Sequence, residues 1–359
     1  MTLNILTTDD RDQWVALLDQ LPHDQRDIHY HPDYLAIYEK TYSDQSYLVV
    51  WEGQSGTIFK PIMVRDIPKS ISATKRRDFS SVYGYGGALA TGQPNASDKQ
   101  GFAQGFMAFA EQNAAVTDFT LLNPKFTDVQ KDILPSGQTV DYRKEVVVAD
   151  LTPTLPEIWA RIDDRQRKAA MSARKAGVEV IASDGSDADY DAYHARYLET
   201  MDAVNAREFW HFPDDYFHNC RDCLGPDHVT LLHAQHDGKI IASFFHIHMY
   251  DTVYYHFSCA DLAARKLNPT PLLMLDSLIW AKGQGYKLFH LGGGRTDGAD
   301  PLFTFKNSFS HQTLPLYSTQ SILDPTTYES LTNAVKSREK QTHGDALESA
   351  FFPRYRLQS

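Results

Sequence analysis

YKLFHLGGGRTDGADPLFTFKNSFS, residues 286–310, runs an apolar strand into three consecutive glycines, then a polar loop, then an aromatic-rich stretch around one lysine. Glycines at 292, 293 and 294 let the backbone approach a ligand closely. Phe303, Phe305 and Phe309 surround Lys306, and an ammonium among aromatic rings is costly to bury without a purpose. Two readings fit the spacing: a functional cation, or a salt-bridged lysine at a strand end.

Outward from this stretch the pattern is regular. TVYYHFSCA and KIIASFFHIHMY read as strands, VTLLHAQHDG as another, and LLMLDSLIWAKGQG as a helix. Before them lie a helix from Pro156 to Ala176, the strand VEVIAS and a helix near Tyr193 to Met201. The first half follows the same plan. Two short helices, around Trp14, Leu17 and Leu18 and around Tyr34, Ile37 and Tyr38, precede a hairpin formed by SYLVVWEG and GTIFKPIMVRDI. An apolar helix around Phe102, Phe106 and Phe109 and the strands TDFTLLNP and KEVVVADL complete it. The chain is therefore expected to be α/β (mixed α+β), a central mixed sheet flanked by helices, occurring twice. The expected domains are residues 1–149 and 150–359.

At 359 residues the chain exceeds what one core usually supports, and 42% hydrophobic residues are those of a globular protein. A net charge of −11 argues against a protein that coats nucleic acid, although an acidic chain can carry one basic groove. Three cysteines form no disulfide framework. The N-terminal MTLNILTTDDRDQW lacks the basic start and apolar run of a secretion signal, and no apolar run has the length to span a bilayer. A cytoplasmic location without a transmembrane segment is expected.

Three groups of residues carry a family resemblance. Leu291-Gly292-Gly293-Gly294, Asp300, Leu302, Phe305-Lys306 and Phe309 resemble the strand, glycine loop and Leu-x-x-Phe-Lys signature of the Fem-like acetyltransferases. His31-Pro32-Asp33-Tyr34 is similar to that family's early helix start, and Tyr83-Gly84-Tyr85-Gly86-Gly87 to its first-domain loop. The resemblance implies two tandem acetyltransferase-like (GNAT) domains. It implies an N-acyltransferase that forms an amide on an amine of a cell-envelope precursor, such as a peptidoglycan precursor or an amino sugar of a surface polysaccharide. Lys306 would stand beside the reacting acyl group and Phe305 would contact the donor. An ammonium there stabilises charge developing on the attacked carbonyl oxygen. The first domain would help to hold the acceptor in a cleft, lined by Tyr83 and Tyr85, and membrane association would be peripheral, through a lipid-linked substrate. Loss of a proton from the amine needs a carrier, and Tyr255, His256 and Asp300 are candidates that no spacing argument separates.

The donor is left open between acyl-CoA and aminoacyl-tRNA, with no permanently bound cofactor expected. Coenzyme A pyrophosphate is usually cradled by an Arg/Gln-x-x-Gly-x-Gly/Ala loop at a helix start. The nearest equivalent, Arg265 to Thr270, keeps the basic residue but replaces both small positions, and Pro269 removes a backbone donor. On the helix expected from Pro156, Arg161, Arg165, Lys168 and Lys175 form a basic stripe, with Ile158, Ile162, Ala169, Ala173 and Ala176 on an apolar face. The stripe is either a solvated face or a donor-side surface contacting phosphates of a charged tRNA.

His246 and His248 alternate on one strand face, and His29 and His31 flank Tyr30, but two ligands are not a metal site and no His-Glu-x-x-His helix exists. Cys220 and Cys223 read as helix-borne thiols. No nucleophile elbow, P-loop or dinucleotide fingerprint is present. A different class of function is a Fem-like scaffold that has lost turnover and serves as a ligand-binding or assembly protein. Acceptor binding without turnover of any donor would distinguish it.

Overall fold

The computed structural model describes residues 1–296, 298, 300–343 and 351–357. Its contacts divide the chain into two compact units. Unit 1 comprises Met1–Gln25, His29–Arg143 and Leu316–Ser359; unit 2 comprises Arg26–Ile28 and Lys144–Pro315.

Unit 1 contains β1 (Thr2–Leu6), α1 (Arg11–Leu18), α2 (Pro32–Tyr42), β2 (Gln45–Glu52), β3 (Gly56–Asp66), β4 (Arg77–Ser80), β5 (Leu89–Gly92), α3 (Ala96–Gln112), β6 (Ala115–Leu121), α4 (Thr127–Ile133) and the start of β7 (Val140–Asp150). The strand β1 precedes the two helices expected to open the chain; TLNIL is too short to show a period, and its structure comes from pairing with β2, Thr2 against Glu52 through Leu6 against Leu48. His31 caps α2 by accepting from the Asp33 amide, and Pro32 fills the first helical position. The expected hairpin is β2 with β3, Gln45 against Val64 through Glu52 against Thr57. On α3, Phe102, Phe106 and Phe109 pack on Val49, Ile58, Ile62 and Phe79 of the sheet. The strand β6 then pairs parallel to β4.

Unit 2 continues from Lys144 in β7 with α5 (Leu155–Arg161), α6 (Asp164–Lys175), β8 (Glu179–Ala182), α7 (Asp187–Ala203), α8 (Tyr216–Leu224), β9 (Val229–His236), β10 (Lys239–Met249), β11 (Thr252–Ala260), α9 (Pro269–Gly283), β12 (Leu288–Gly292), α10 (Pro301–Asn307) and the start of β13 (Gln312–Ile322). The strands β8, β9, β10 and β11 are antiparallel, β12 joins β11 in parallel, and β7 closes on β12 antiparallel. One face carries α5, α6 and α9, whose Ile158, Ile162, Ala170, Ala173, Leu272 and Leu278 share a core with Val147, Phe244 and Phe289 of the strands. The other face is aromatic, with Tyr193, Tyr197, Phe217, Phe245 and Phe257 in edge and stacked contacts.

The order of elements thus repeats: strand, two helices, three antiparallel strands, helix, parallel strand, with the short β5, paired to β3, added in unit 1. Two expectations need correction. The single helix from Pro156 to Ala176 is two helices, because Ile162 turns extended into the core and the Asp163 amide is held by the Ser308 carbonyl at 2.8 Å. This detaches Arg161 from the stripe on α6, and the buried alanines are Ala170 and Ala173, whereas Ala176 is exposed. Nor does a cut at 149/150 describe the units. Residues Ser318–Ile322 of β13 pair antiparallel with β6, so the C-terminal segment satisfies backbone groups of unit 1. The helix α11 (Pro325–His343) and residues 351–357 follow it. Tyr355 packs with Ile67, Val116, Leu331 and Val335, and the buried Asp78 carboxylate accepts from Thr117, Tyr355 and Arg356.

Candidate active site

The parallel pairing of β11 with β12 covers three residue pairs, ending at Tyr254 against His290, after which β12 stops at Gly292, whose φ is +75°. Beyond it, Asp300 starts α10. Its carboxylate accepts from the amides of Leu302 and Phe303 at 2.8 and 2.9 Å and from the Thr296 amide at 2.8 Å, closing the loop onto the helix. Burial tends to raise its pKa, but these backbone donors outweigh it and hold the carboxyl below the usual range. Asp300 is therefore an ionised helix cap, poorly suited to carrying a proton.

The short helix α10 presents Lys306 inward. Only 6% of this residue is exposed, and its Nζ donates to the Gly293 carbonyl at 2.9 Å and lies 5.1 Å from the centre of the Tyr255 ring. It sits on a helix, not at a strand end, and among the described residues no carboxylate lies within ion-pair distance, so the salt-bridged reading fails. Burial, reinforced by the positive charge of Lys144 and opposed by Asp300, pushes the Lys306 pKa down to about 7. The amine is thus divided between its charged and neutral forms near neutral pH. Phe305, half-buried, meets Phe309 edge-on at 5.2 Å and packs on the core of unit 2.

The glycines owe their place to these side chains. A Cβ on Gly293 would lie 3.1 Å from Lys144 Cε, and one on Gly294 would lie 2.5 Å from Asp300 Oδ2. Lys144, which the sequence reading passed over as the first residue of an apolar strand, donates from Nζ to the Gly294 carbonyl at 3.1 Å. Its strand β7 neighbours β12 in space but lies far from it in sequence, so spacing carried no signal of the contact.

The remaining candidates divide. Tyr255 joins Lys306, with burial raising its pKa well above that of a free phenol. His256 pairs instead with Tyr216 of α8 at 2.8 Å, on the aromatic face. Arg265 is exposed on the turn before α9, and both Pro269 and Pro271 fall in the first turn of that helix, removing two of its free N–H donors. Arg165 and Lys168 lie on α6, beside a groove of about 610 Å³ lined by Trp159, Arg167, Lys168, Met171 and Lys175. Asp164 engages Lys168 at 2.6 Å and Arg167 at 3.6 Å, whereas Arg165 and Lys175 have no ion-pair partner among the described residues. In unit 1, Tyr83 stacks on Tyr38 with its phenol pKa raised by burial, and Tyr85 meets His29 edge-on. Gly84 and Gly87 there have φ of +97° and +103°, against the His29 ring and the Gln130 amide.

Burial lowers the pKa of His246 to about 3 and that of His248 to about 4; their ring nitrogens meet Ser277, Thr230 and Tyr286. Among the described residues, no group of three or more His, Cys, Asp or Glu is placed to hold a metal ion, and no helix is long and apolar enough to cross a membrane.

Residues 160–306 match the family model of the acetyltransferase (GNAT) domain, a stretch that lies within unit 2 and ends on Lys306. No curated protein matches the sequence. Among solved structures, FemX aligns with a TM-score of 0.64 at 12% identity, over 92% of this chain and 99% of its own. The C-terminal domain of a proposed lysylphosphatidylglycerol synthetase from Agrobacterium fabrum aligns with a TM-score of 0.53 at 14% identity, over 92% and 96%. A tandem GNAT protein from the clavulanic acid biosynthesis pathway gives 0.52 at 11%, over 90% and 99%. At these identities the structures attest the fold, and the domain match attests the family of unit 2. Unit 2 therefore carries a GNAT domain, and the chain as a whole has the fold seen in FemX and in the tandem GNAT protein.

Proposed function

We propose that this protein transfers an acyl group from an activated ester to an amine, with Lys306 as the catalytic residue. The observation that carries the reading is a lysine held 6% exposed, with no carboxylate at ion-pair distance among the described residues, hydrogen-bonded to the glycine loop and shifted to a pKa of about 7. A group of that pKa gives and takes protons readily at neutral pH. The acceptor nitrogen attacks the carbonyl carbon, forming the C–N bond. The neutral Lys306 amine takes the proton released from that nitrogen. As an ammonium it stabilises the oxyanion, then returns the proton to the leaving oxygen as the C–O bond breaks. The proton thus ends on the leaving group, and no covalent enzyme intermediate forms.

Two features favour the acyl ester of a charged tRNA over acyl-CoA as donor. The start of α9 offers few amide donors for a pyrophosphate, since Pro269 and Pro271 occupy its first turn. The groove on α6 sets Arg167, Lys168 and Lys175 around Trp159, a combination suited to phosphates with an adjacent stacking surface. The helix begins beside the active-site helix, through the bond from the Asp163 amide to the Ser308 carbonyl. The acceptor we propose is an amine of a cell-envelope precursor, acylated in the cytoplasm where charged tRNA is available.

A donor panel tests this. Purified protein, an amino-sugar or lysine-containing acceptor, and either acetyl-CoA or charged tRNAs are assayed for amide formation. Turnover with tRNA esters, abolished in Lys306→Met, is expected. Turnover with acetyl-CoA alone would overturn the donor assignment, and full activity in Lys306→Met would overturn the mechanism.

A further inference from the structure

Lys144 and Lys306 grip consecutive carbonyls of one loop. Lys306 Nζ donates to Gly293 at 2.9 Å and Lys144 Nζ to Gly294 at 3.1 Å, and the Lys144 stem fills the space beside Gly293 that a Cβ would take. The two lysines come from strand β7 and helix α10, 162 residues apart in the same sense that Ser310 and Val148 are, whose hydrogen bond at 2.6 Å fixes β7 against the end of α10. Among the described residues, the groups facing Lys306 Nζ are Lys144 from β7, Asp300 from the start of α10 and the Tyr255 ring from β11. Asp300 is held by backbone amides of the loop and of α10, and its charge opposes that of Lys144 at Lys306.

We propose that Lys144 is a positioning residue for acyl transfer: it fixes the glycine loop against Lys306 and, as a second cation beside it, keeps part of the Lys306 population neutral and ready to accept the acceptor's proton. The inference rests on the reading of Lys306 as proton carrier. It adds to burial a second contribution to that competence, a like charge held in place by a backbone hydrogen bond. Lys144 itself touches no reacting atom. A lysine whose role was only to brace the loop could be replaced by any residue that kept the loop folded, with no change in the titration of its neighbour. A lysine acting by charge could not.

The test uses the full chain labelled with ε-¹³C lysine. The Lys306 resonance is assigned by its disappearance in Lys306→Met and followed with pH in wild type, Lys144→Arg, Lys144→Gln and Lys144→Met. Removing the like charge raises the Lys306 midpoint, by about half a unit or more in the Gln and Met variants, while Arg leaves it near the wild-type position. The rising limb of kcat/KM against pH moves to higher pH by the same amount. An unmoved midpoint in both neutral variants, with circular dichroism showing them folded, overturns the proposal. Two neutral replacements guard against a variant that fails to fold. Because the resonance is read without substrate, the shift is decided even if no donor supports turnover, so failure of the acyltransferase reading and failure of the Lys144 role give different results.

Discussion

Each unit buries a lysine over an aromatic ring, and the two are used differently. In unit 1, Lys60 of β3 is 8% exposed, lies 4.7 Å from the centre of the Phe106 ring, and pairs with the Asp118 carboxylate at 2.5 Å. In unit 2, Lys306 is equally buried and lies over Tyr255, but its polar partner is a neutral carbonyl. A carboxylate beside a buried ammonium offsets its charge; a neutral carbonyl beside it, with another cation near, does not. The helices after each parallel strand repeat the contrast. On α4, Gln130 donates its amide to the Gly86 carbonyl and to the Tyr30 hydroxyl, both at 2.6 Å, where α10 sends Lys306 to Gly293. The same plan holds a group that cannot titrate in one unit and one that titrates near neutrality in the other. A repeated fold therefore supplies a frame twice and, on these residues, a titrating group once.

The comparison breaks most easily at Lys306. Lys306→Met is expected to reduce turnover by about a thousandfold or more, leaving the circular dichroism spectrum intact. The same variant also changes stability with pH. Burial lowers this pKa from 10.5 to about 7, so between those values the unfolded chain holds the extra proton, and stability rises as pH rises through that window. Lys306→Met flattens this slope and is expected to be the more stable protein below pH 7, by on the order of a few kcal/mol, measured by urea unfolding at several pH values.

Asp118→Asn should have the opposite signature. Removing the partner of Lys60 leaves an uncompensated buried ammonium and destabilises the protein by about 3–5 kcal/mol, read as a lower urea midpoint. Residual folded protein is expected to keep the wild-type pH profile of turnover, because Asp118 is the partner of a structural lysine. Asp300→Ala, which strips the cap of α10, costs about 1–2 kcal/mol and lowers turnover, with Asp300→Ser restoring part of both. The smallest effect belongs to the donor surface. In Arg165→Gln with Lys168→Gln, the slope of log affinity for charged tRNA against log salt falls by about 2 if both contact phosphates, while kcat at saturating donor is unchanged.

Much of this was legible in the chain. Alternating and apolar runs at 45–66, 229–260 and 286–292 gave the strands their places, and the repeat of helix pair, hairpin and helix gave the class. What escaped depended on contacts distant in sequence. TLNIL becomes β1 by pairing with β2, and Ile162 and Asp163 break a helix because Ser308 takes an amide. The lone cation among aromatic residues is buried against a backbone carbonyl at Lys306, yet Lys60, equally isolated in GTIFKPIMV, gives the same signal and is a salt bridge. Only the partner distinguishes them, and the partner of Lys60 is 58 residues away. Lys144 was invisible for the same reason. The three glycines were readable as a place of close approach, but what approaches them includes the protein's own Lys144 and Asp300.

The return of the C-terminal segment to unit 1 sets an order of events during synthesis. When Pro315 leaves the ribosome, every residue of unit 2 has been made, whereas unit 1, though begun first, still lacks the strand that covers β6 and the Tyr355 and Arg356 side chains that satisfy Asp78. The half of the chain translated first is therefore the last to be complete, and a product stopped between Pro315 and Arg356 carries an unfinished first half and a finished second one.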